Sequence, residues 1–230
     1  MGLTGQEGEM ATERAAQLGL RERKKRKTRE LIAETAKRLF AERGFDAVTV
    51  AEVANAADVS QGTVFNYFPA KEDLFFSSME AFEARLVDGV RERPPGESVL
   101  SAFRRLVLDG LEQLASDDRA DLIATAGRII SAAPSLQARE REVVALYTDS
   151  LAALIAEETG AESGDVESWA VANALMGVQR VLVAYVRSSV LAGKRGESLA
   201  ADTRSTGERA FAALERGLRD YAIKAPSTIR

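Results

Sequence analysis

Apolar residues recur every three or four positions along most of this chain, which is the spacing of amphipathic α-helices. No alternating pattern typical of strands and no internal repeat is found. We therefore predict an all-α fold with about nine helices. The predicted helices lie at about Lys25–Arg43, Thr49–Ala57, Ser60–Phe68, Lys71–Arg91, Ser98–Ala115, Asp121–Ala132, Pro134–Thr159, Val166–Leu191 and Leu199–Ile223.

The first predicted helix has one apolar side and a clear end. Its apolar stripe consists of Leu31, Ala36, Leu39 and Phe40, with Ile32 and Thr35 alongside. Gly44 stands where a left-handed C-terminal cap is needed, and we expect Phe45 to fold back onto the last helical turn.

Two short helices joined by a tight turn follow this first helix. Thr49 and Glu52 have the spacing of a capping box, in which each side chain bonds the backbone N–H of the other residue. Ser60 is a favourable N-cap for the second short helix. Val64 and Phe68 are four residues apart on that helix, so we expect both to be buried. This arrangement is that of a helix-turn-helix.

The rest of the second short helix carries no charge, which is unusual for a surface. These residues are Gln61, Gly62, Thr63, Phe65, Asn66 and Tyr67. Amides and hydroxyls can pair with base edges in the major groove of DNA, and apolar rings can contact thymine methyl groups. Exposed aromatic residues also mark protein–protein contacts, which is the alternative interpretation.

The charge distribution favours nucleic acid near this motif. The whole chain has a net charge of −4, but residues 21–79 carry 11 Lys and Arg against 9 Asp and Glu, a net charge of +2. Residues 21–27 contain six cations and one anion. From this run we assign Arg23, Lys24 and Lys27 to phosphate contacts, because local positive charge attracts the backbone of DNA. A solvated run of charges is the alternative.

Residues from Lys27 to Met79 resemble the DNA-binding domain of TetR-family transcriptional regulators. The resemblance is carried by Gly44-Phe45, by Thr49-Val50-Ala51-Glu52-Val53-Ala54 and by Gly62-Thr63-Val64-Phe65-Asn66-Tyr67-Phe68-Pro69-Ala70-Lys71-Glu72. It implies a homodimeric repressor that leaves a palindromic DNA operator when it binds a small molecule.

The resemblance also implies roles for individual residues. Phosphate contacts are implied for Thr49, Tyr67 and Lys71, and base contacts for Gln61, Thr63, Phe65 and Asn66. Ser60 and Gly62 complete the predicted interface. The family more often has Lys or Arg at position 61, Tyr at position 65 and His at position 66, so its operator sequences cannot be transferred to this chain.

The chain divides into three predicted parts. Residues 1–20 are expected to be a disordered tail, residues 21–79 the DNA-binding domain, and residues 80–225 a helical effector-binding and dimerisation domain. The helix at Val166–Leu191 is apolar on most of its circumference, and small residues on it permit a close helix crossing: Ala170, Ala174, Gly177 and Val181. We predict that this helix and the last one together form the dimer interface. The last helix would contribute Phe211, Leu214, Leu218 and Tyr221. The alternative is that the two helices form the core of a monomer.

A ligand cavity is predicted in the same domain, from apolar residues with polar groups among them. The candidate residues are Arg128, Tyr147, Trp169, Asn173, Met176, Gln179, Arg180 and Tyr185. Arg128 and Arg180 lie in largely apolar segments and each needs an anion, which favours an acidic or amphipathic effector such as a fatty acyl compound. Ordinary packing of the aromatic and Met residues in the core is the alternative.

Composition excludes several other classes of function. The chain has no Cys and no His, so thiolate nucleophiles, Ser-His-Asp triads and Cys or imidazole metal sites are excluded. We expect no catalytic residues, cofactor or metal; the alternative enzyme is a Mg²⁺ site at Asp117, Asp118 and Asp121. No signal peptide or membrane span is expected, since Arg180 and Arg187 interrupt the most apolar stretch, and we predict a cytoplasmic protein. A DNA-organising dimer without an effector is the second functional hypothesis.

Overall fold

The computed structural model describes the backbone of residues 4–218 and 223, and the side chains of residues 21–217 and 223. The helices are α1 (Thr4–Arg43), α2 (Val50–Ala56), α3 (Gln61–Tyr67), α4 (Lys71–Arg91), α5 (Val99–Gly110), a 3₁₀ helix (Leu111–Ala115), α6 (Asp117–Ala132), α7 (Pro134–Thr159), α8 (Val166–Leu191) and α9 (Gly196–Leu218). Within these residues there is no strand, and Ser98 and Ile223 form one isolated antiparallel bridge. The predicted all-α fold is confirmed.

The chain forms two compact units, Met1–Ser77 and Ser78–Arg230. Their boundary falls within α4, whose first two turns belong to the first unit.

Helix α1 begins at Thr4, upstream of the predicted start at Lys25 and within the tail that was expected to be disordered. Residues 4–20 contain no Pro and are rich in Ala, Glu and Leu, which are good helix formers. The basic run at residues 21–27 therefore lies inside a helix.

Helices α1 to α3 and the start of α4 share a core in the first unit, built around Ile32, Phe40, Phe45, Val64, Phe68 and Leu74. Gly44 has a φ of 83°, as predicted for the cap, and the ring centres of Phe40 and Phe45 lie 5.0 Å apart. Leu31 was predicted to be buried but is 52% exposed. The other residues of the predicted stripe are buried: Ile32, Thr35, Ala36, Leu39 and Phe40.

The second unit is organised around α8, which packs against α7, α9 and α6. Its core contains Phe103 and Phe211, whose ring centres lie 6.3 Å apart. Helix α8 is long and apolar enough to cross a membrane by length and composition, although no span was expected from the sequence. The core helix of a soluble protein meets the same criterion, so one such helix is weak support for a span.

Several helix ends differ from the prediction. Helix α5 ends at Gly110 and gives way to the 3₁₀ helix, because glycine is a poor helix residue. Helix α6 starts at Asp117, four residues early, with two acidic side chains in its first turn that suit the helix dipole. Helix α9 is described only to Leu218, so the predicted interface residue Tyr221 and the side chain of Leu218 lie outside the described residues.

Candidate functional site

The orientation of α3 is fixed by its cap and by two buried side chains. The Ser60 hydroxyl oxygen accepts the Thr63 N–H at 3.0 Å, as an N-cap should. Val64 and Phe68 are both buried, as predicted, although Phe68 is the C-cap residue just beyond the helix. Val64 and Phe68 fix the rotation of α3, and Gln61 and Asn66 are exposed.

The exposed side of α3 is free of charged side chains. Phe65 is 45% exposed, and Thr63 and Tyr67 are half-buried at the edges of this side. Gly62 is exposed, and a Cβ added there would meet nothing closer than the Ser60 hydroxyl oxygen at 3.8 Å. Packing within the protein therefore does not require glycine at this position.

Thr49 is held by the capping box at the start of α2. Its hydroxyl oxygen accepts the Glu52 N–H at 3.2 Å, and its own N–H donates to the Glu52 carboxylate at 2.8 Å. The Thr49 hydroxyl also donates to this carboxylate, and Arg43 pairs with it at 2.7 Å. The N–H of Thr49, followed by the Arg43 and Thr49 side chains, lowers the pKa of Glu52 to about 2. Thr49 must release one of these bonds before it can donate to a phosphate.

Lys71 is anchored to the end of α1. Its ammonium donates to the Phe45 carbonyl at 2.7 Å and lies 4.1 Å from the centre of the Phe45 ring. An ammonium has three N–H donors, so two remain for a phosphate. The implied phosphate contact of Lys71 therefore stays a prediction, and the structure adds a second role, which is to hold the turn after α1.

The basic run on α1 forms an exposed positive surface. Arg23, Lys24 and Lys27 are all exposed, and in the described part of the chain no ion pair is recorded for Lys24 or Lys27. Arg29, two residues further along, stacks over the Phe68 ring at 4.8 Å from its centre. This contact ties α1 to the end of α3, so that the basic helix and the uncharged face belong to one packed unit.

A cavity of about 260 Å³ lies between α4, α7 and α8 in the second unit. Its buried and half-buried lining consists of Met79, Glu83, Val144, Met176 and Gln179. Its exposed lining consists of Arg141, Arg180, Val183 and Ala184, and between them lies the half-buried pair of Glu140 and Arg187. Three of the predicted ligand residues thus line one cavity: Met176, Gln179 and Arg180.

The other predicted ligand residues lie away from this cavity. Arg128 is exposed on α6 and donates to the Thr125 hydroxyl at 3.3 Å, so it does not need an anion. Trp169 is 52% exposed and donates to Asp149 at 3.1 Å, while Asn173 donates to the Trp169 carbonyl. Tyr147 packs against the core, and Tyr185 is half-buried. The apolar pattern of α8 covers nearly all sides, so it did not specify which side faces a cavity.

Glu83 is the most unusual residue of the cavity, and the sequence interpretation missed it. It is 3% exposed, and its Oε2 atom has no hydrogen-bond partner among the described residues. Burial raises the pKa of its carboxyl group to about 7, because a charged form is poorly solvated there. Glu83 follows Met79 by four residues and precedes Val87 by four, so a carboxylate on the apolar stripe of α4 was the available signal.

The cavity wall depends on a close approach at Gly127 of α6. A Cβ at this position would lie 2.8 Å from Cγ of Arg187. Glycine thus makes room for the Arg187 side chain, which pairs with Glu140 at 2.5 Å. Since this arginine is already paired, Arg141 and Arg180 are the lining cations without a recorded ion pair in the described part of the chain.

The acidic residues proposed for a Mg²⁺ site do not assemble. In the described residues no group of three or more potential metal ligands comes together. Asp121 instead pairs with Arg195 at 3.1 Å, and Asp117 and Asp118 lie in the first turn of α6.

The capped α2 and α3, with an uncharged exposed face beside a basic helix, define a helix-turn-helix DNA-binding protein. The family model of the bacterial regulatory proteins of the tetR family matches residues 32–77, and the model of the MftR C-terminal domain matches residues 97–219, more than half of the chain. The chain belongs to the TetR family of transcriptional regulators.

Individual proteins with similarity agree with this assignment. The transcriptional regulator TcmR of Streptomyces glaucescens is 34% identical over 85 residues, which cover 37% of this chain and 38% of TcmR. A TetR-family regulator from Streptomyces coelicolor A3 has a TM-score of 0.52 at 23% identity, over 84% of this chain and 95% of its own. The fatty acid degradation regulator FadR from Bacillus halodurans has a TM-score of 0.51 at 23% identity, over 81% and 96%. At these identities the two structures show a shared fold.

Proposed function

We propose that this chain is a cytoplasmic, ligand-responsive dimeric repressor that binds a palindromic DNA operator through α3. The exposed face of α3 is the observation that carries the proposal. It combines the amide groups of Gln61 and Asn66, the ring of Phe65 and an open Gly62, and it has no charged side chain. The amide groups can pair with base edges, and the aromatic ring can contact thymine methyl groups.

The interface residues divide by chemistry into base contacts and phosphate contacts. Gln61, Thr63, Phe65 and Asn66 are proposed to contact bases, while Arg23, Lys24, Lys27, Thr49, Tyr67 and Lys71 are proposed to hold phosphates. Cations bind phosphates whatever the base sequence, so they set affinity and salt dependence. The uncharged set is left to determine sequence preference.

Two substitutions test this division against a matched control. Gln61→Ala should change which operator base pair is preferred, at a cost of about 1–3 kcal/mol at that position. Lys24→Gln should weaken all sequences alike and reduce the salt slope of binding by about one unit. Lys194→Gln is the control, because Lys194 is an exposed lysine of the second unit that pairs with Asp202. Equal effects of the first two changes would refute the division.

Dimerisation is proposed to use the last two helices, α8 and α9, with the open side of α8 at the centre of the interface. Phe211, which was predicted at this interface, is instead fully buried against Phe103 within the protomer. Ala170 and Val181 are exposed on the open side of α8, and a Cβ added at Gly177 would meet no atom within 4 Å. A stripe of small residues lets a second helix come close, and a two-fold axis brings the same stripe of the partner against it. A dimer is needed because one α3 contacts only one half-site of the operator. The two half-sites lie about 34–36 Å apart, which is one turn of DNA, or a multiple of that distance.

An effector is proposed to bind the cavity between α4, α7 and α8. A buried carboxylate oxygen without a partner is costly, so a ligand that supplies the partner would bind with a net gain. This feature favours the ligand-responsive repressor over the DNA-organising dimer, which has no use for such a cavity.

One gel-shift series separates the two hypotheses. The probe is a DNA fragment from upstream of the gene for this chain, with a scrambled fragment of equal length as the control. A ligand-responsive repressor should retard only the specific fragment and should release it when a metabolite extract is added. Equal retardation of both fragments, with no response to the extract, would contradict the proposal.

A further inference from the structure

The cavity around Glu83 has a division of charge that restricts the chemistry of its ligand. Three arginines and two glutamates line it, so its side chains are net positive even when both glutamates are ionised. Glu140 and Arg187 satisfy each other, which leaves Arg141 and Arg180 at the exposed side and Glu83 at the buried side. A ligand therefore meets a positive entrance and a single carboxyl group in the interior.

From this geometry we propose that the effector is a small amphipathic acid that carries a hydroxyl group. Its acidic group would lie between Arg141 and Arg180, its apolar body against Met176 and Val144, and its hydroxyl against Oε2 of Glu83. The inference rests on the proposed effector function of this cavity and adds the chemical class of the ligand.

The choice of a hydroxyl follows from Oε2 of Glu83, which is buried in the cavity lining and has no hydrogen-bond partner among the described residues. Because the pKa of Glu83 is raised to about 7, both the protonated and the ionised carboxyl are populated near neutral pH. An ammonium group pairs well only with the ionised form, and a carbonyl only with the protonated form. A hydroxyl both donates and accepts, so it pairs with either form. Gln179, which is buried and has no recorded hydrogen bond among the described residues, offers a second amide partner beside it.

The size of the cavity limits the body of the ligand. About 260 Å³ corresponds to the liquid volume of about nine water molecules, at about 30 Å³ each. This space suits a chain of roughly ten carbon atoms. The sulfur of Met176 and the side chain of Val144 provide the apolar contacts for such a chain.

Calorimetric titration of the full chain with three matched probes tests the proposal: 10-hydroxydecanoate, decanoate and decylamine. The hydroxy acid should bind about three- to tenfold more tightly than decanoate, which is the effect of one added hydrogen bond to a buried group. Decylamine should bind more weakly than both acids, because the entrance is positive. Tighter binding of decylamine, equal binding of the two acids, or binding of none of the three would overturn the proposal.

Four substitutions locate the contacts. Glu83→Leu should remove the advantage of the hydroxy acid, and Glu83→Gln should keep it, because an amide also donates and accepts. Arg180→Gln should weaken both acids by about the same factor, threefold or more. Asp88→Asn and Arg128→Gln are the controls, since both residues are exposed and outside the cavity lining. A hydroxyl advantage that persists in Glu83→Leu would show that Glu83 is not the partner.

Operator release, measured in parallel, separates this inference from the proposed function. If the acids bind as expected but DNA is not released, the site stands and its role as an effector site fails. If a metabolite extract releases DNA equally well from the wild type and from Glu83→Leu and Arg180→Gln, the regulator stands and the ligand site is wrong.

Discussion

Replacement of Glu83 by Gln should make the stability of the free protein less sensitive to pH. The carboxyl group of Glu83 is buried in the native cavity, where burial raises its pKa from the ordinary 4.5 to about 7. Between these two values the native protein keeps a proton that the unfolded chain has lost. Stability therefore falls as the pH rises, since the unfolded state binds fewer protons than the native state.

The magnitude follows from the two pKa values. Each pH unit between the two pKa values lowers the free energy of unfolding by about 1.4 kcal/mol. By pH 8, Glu83 has therefore lowered the free energy of unfolding of the wild type by on the order of 3 kcal/mol. Part of that loss is already present at pH 5, which leaves about 2–3 kcal/mol between pH 5 and pH 8. Glutamine has nearly the same shape and does not titrate, so the variant escapes this loss.

Urea unfolding followed by circular dichroism at pH 5 and pH 8 measures the effect, with both proteins at the same concentration. The free energy of unfolding of Glu83→Gln minus that of the wild type should rise by about 2–3 kcal/mol from pH 5 to pH 8. Other titrating groups, such as Glu52, affect both proteins and cancel in this difference. Asp88→Asn, an exposed change on the same helix, should give a difference that does not vary with pH. A constant difference for Glu83→Gln would refute the burial argument.

Three further predictions concern the DNA interface and the dimer. Gly62→Ala should leave the free energy of unfolding unchanged or raise it by up to about 1 kcal/mol, because the new Cβ has space. The melting temperature should therefore not fall. The same change should nevertheless weaken operator binding in a gel shift by about tenfold or more; unchanged binding would mean that DNA does not approach this glycine. Gly177→Leu should leave the helical circular dichroism spectrum intact but halve the mass found by sedimentation equilibrium, and a dimer of full mass would exclude this side of α8. Thr49→Ala removes the α2 cap and should lower stability by about 1 kcal/mol, seen as a lower urea midpoint; no shift would mean that the capping box contributes little.

Features of the first unit that depend on neighbouring residues could be predicted from the sequence. The left-handed Gly44, the Thr49–Glu52 capping box and the Ser60 cap are each specified within three or four residues. Hydrogen bonds over such short spans depend little on the rest of the chain, so residue type and spacing were sufficient.

The cavity could be predicted only in part, because it depends on the rotation of three helices that are distant in sequence. Met176, Gln179 and Arg180 were found on α8, but Glu83 on α4 and Arg141 on α7 were not. Periodicity identifies a buried stripe on one helix, yet it does not show where neighbouring helices leave a gap. The same limit applies to Leu31, which belongs to the predicted apolar stripe of α1 but is exposed.

Helix α4 carries residues of both proposed sites. It begins at Lys71, which holds the Phe45 carbonyl in the helix-turn-helix unit, and it carries Glu83 twelve residues later. Because α4 also crosses the boundary between the two units, the bond from Lys71 to Phe45 is the contact at which we expect ligand binding to reach the DNA-binding helices.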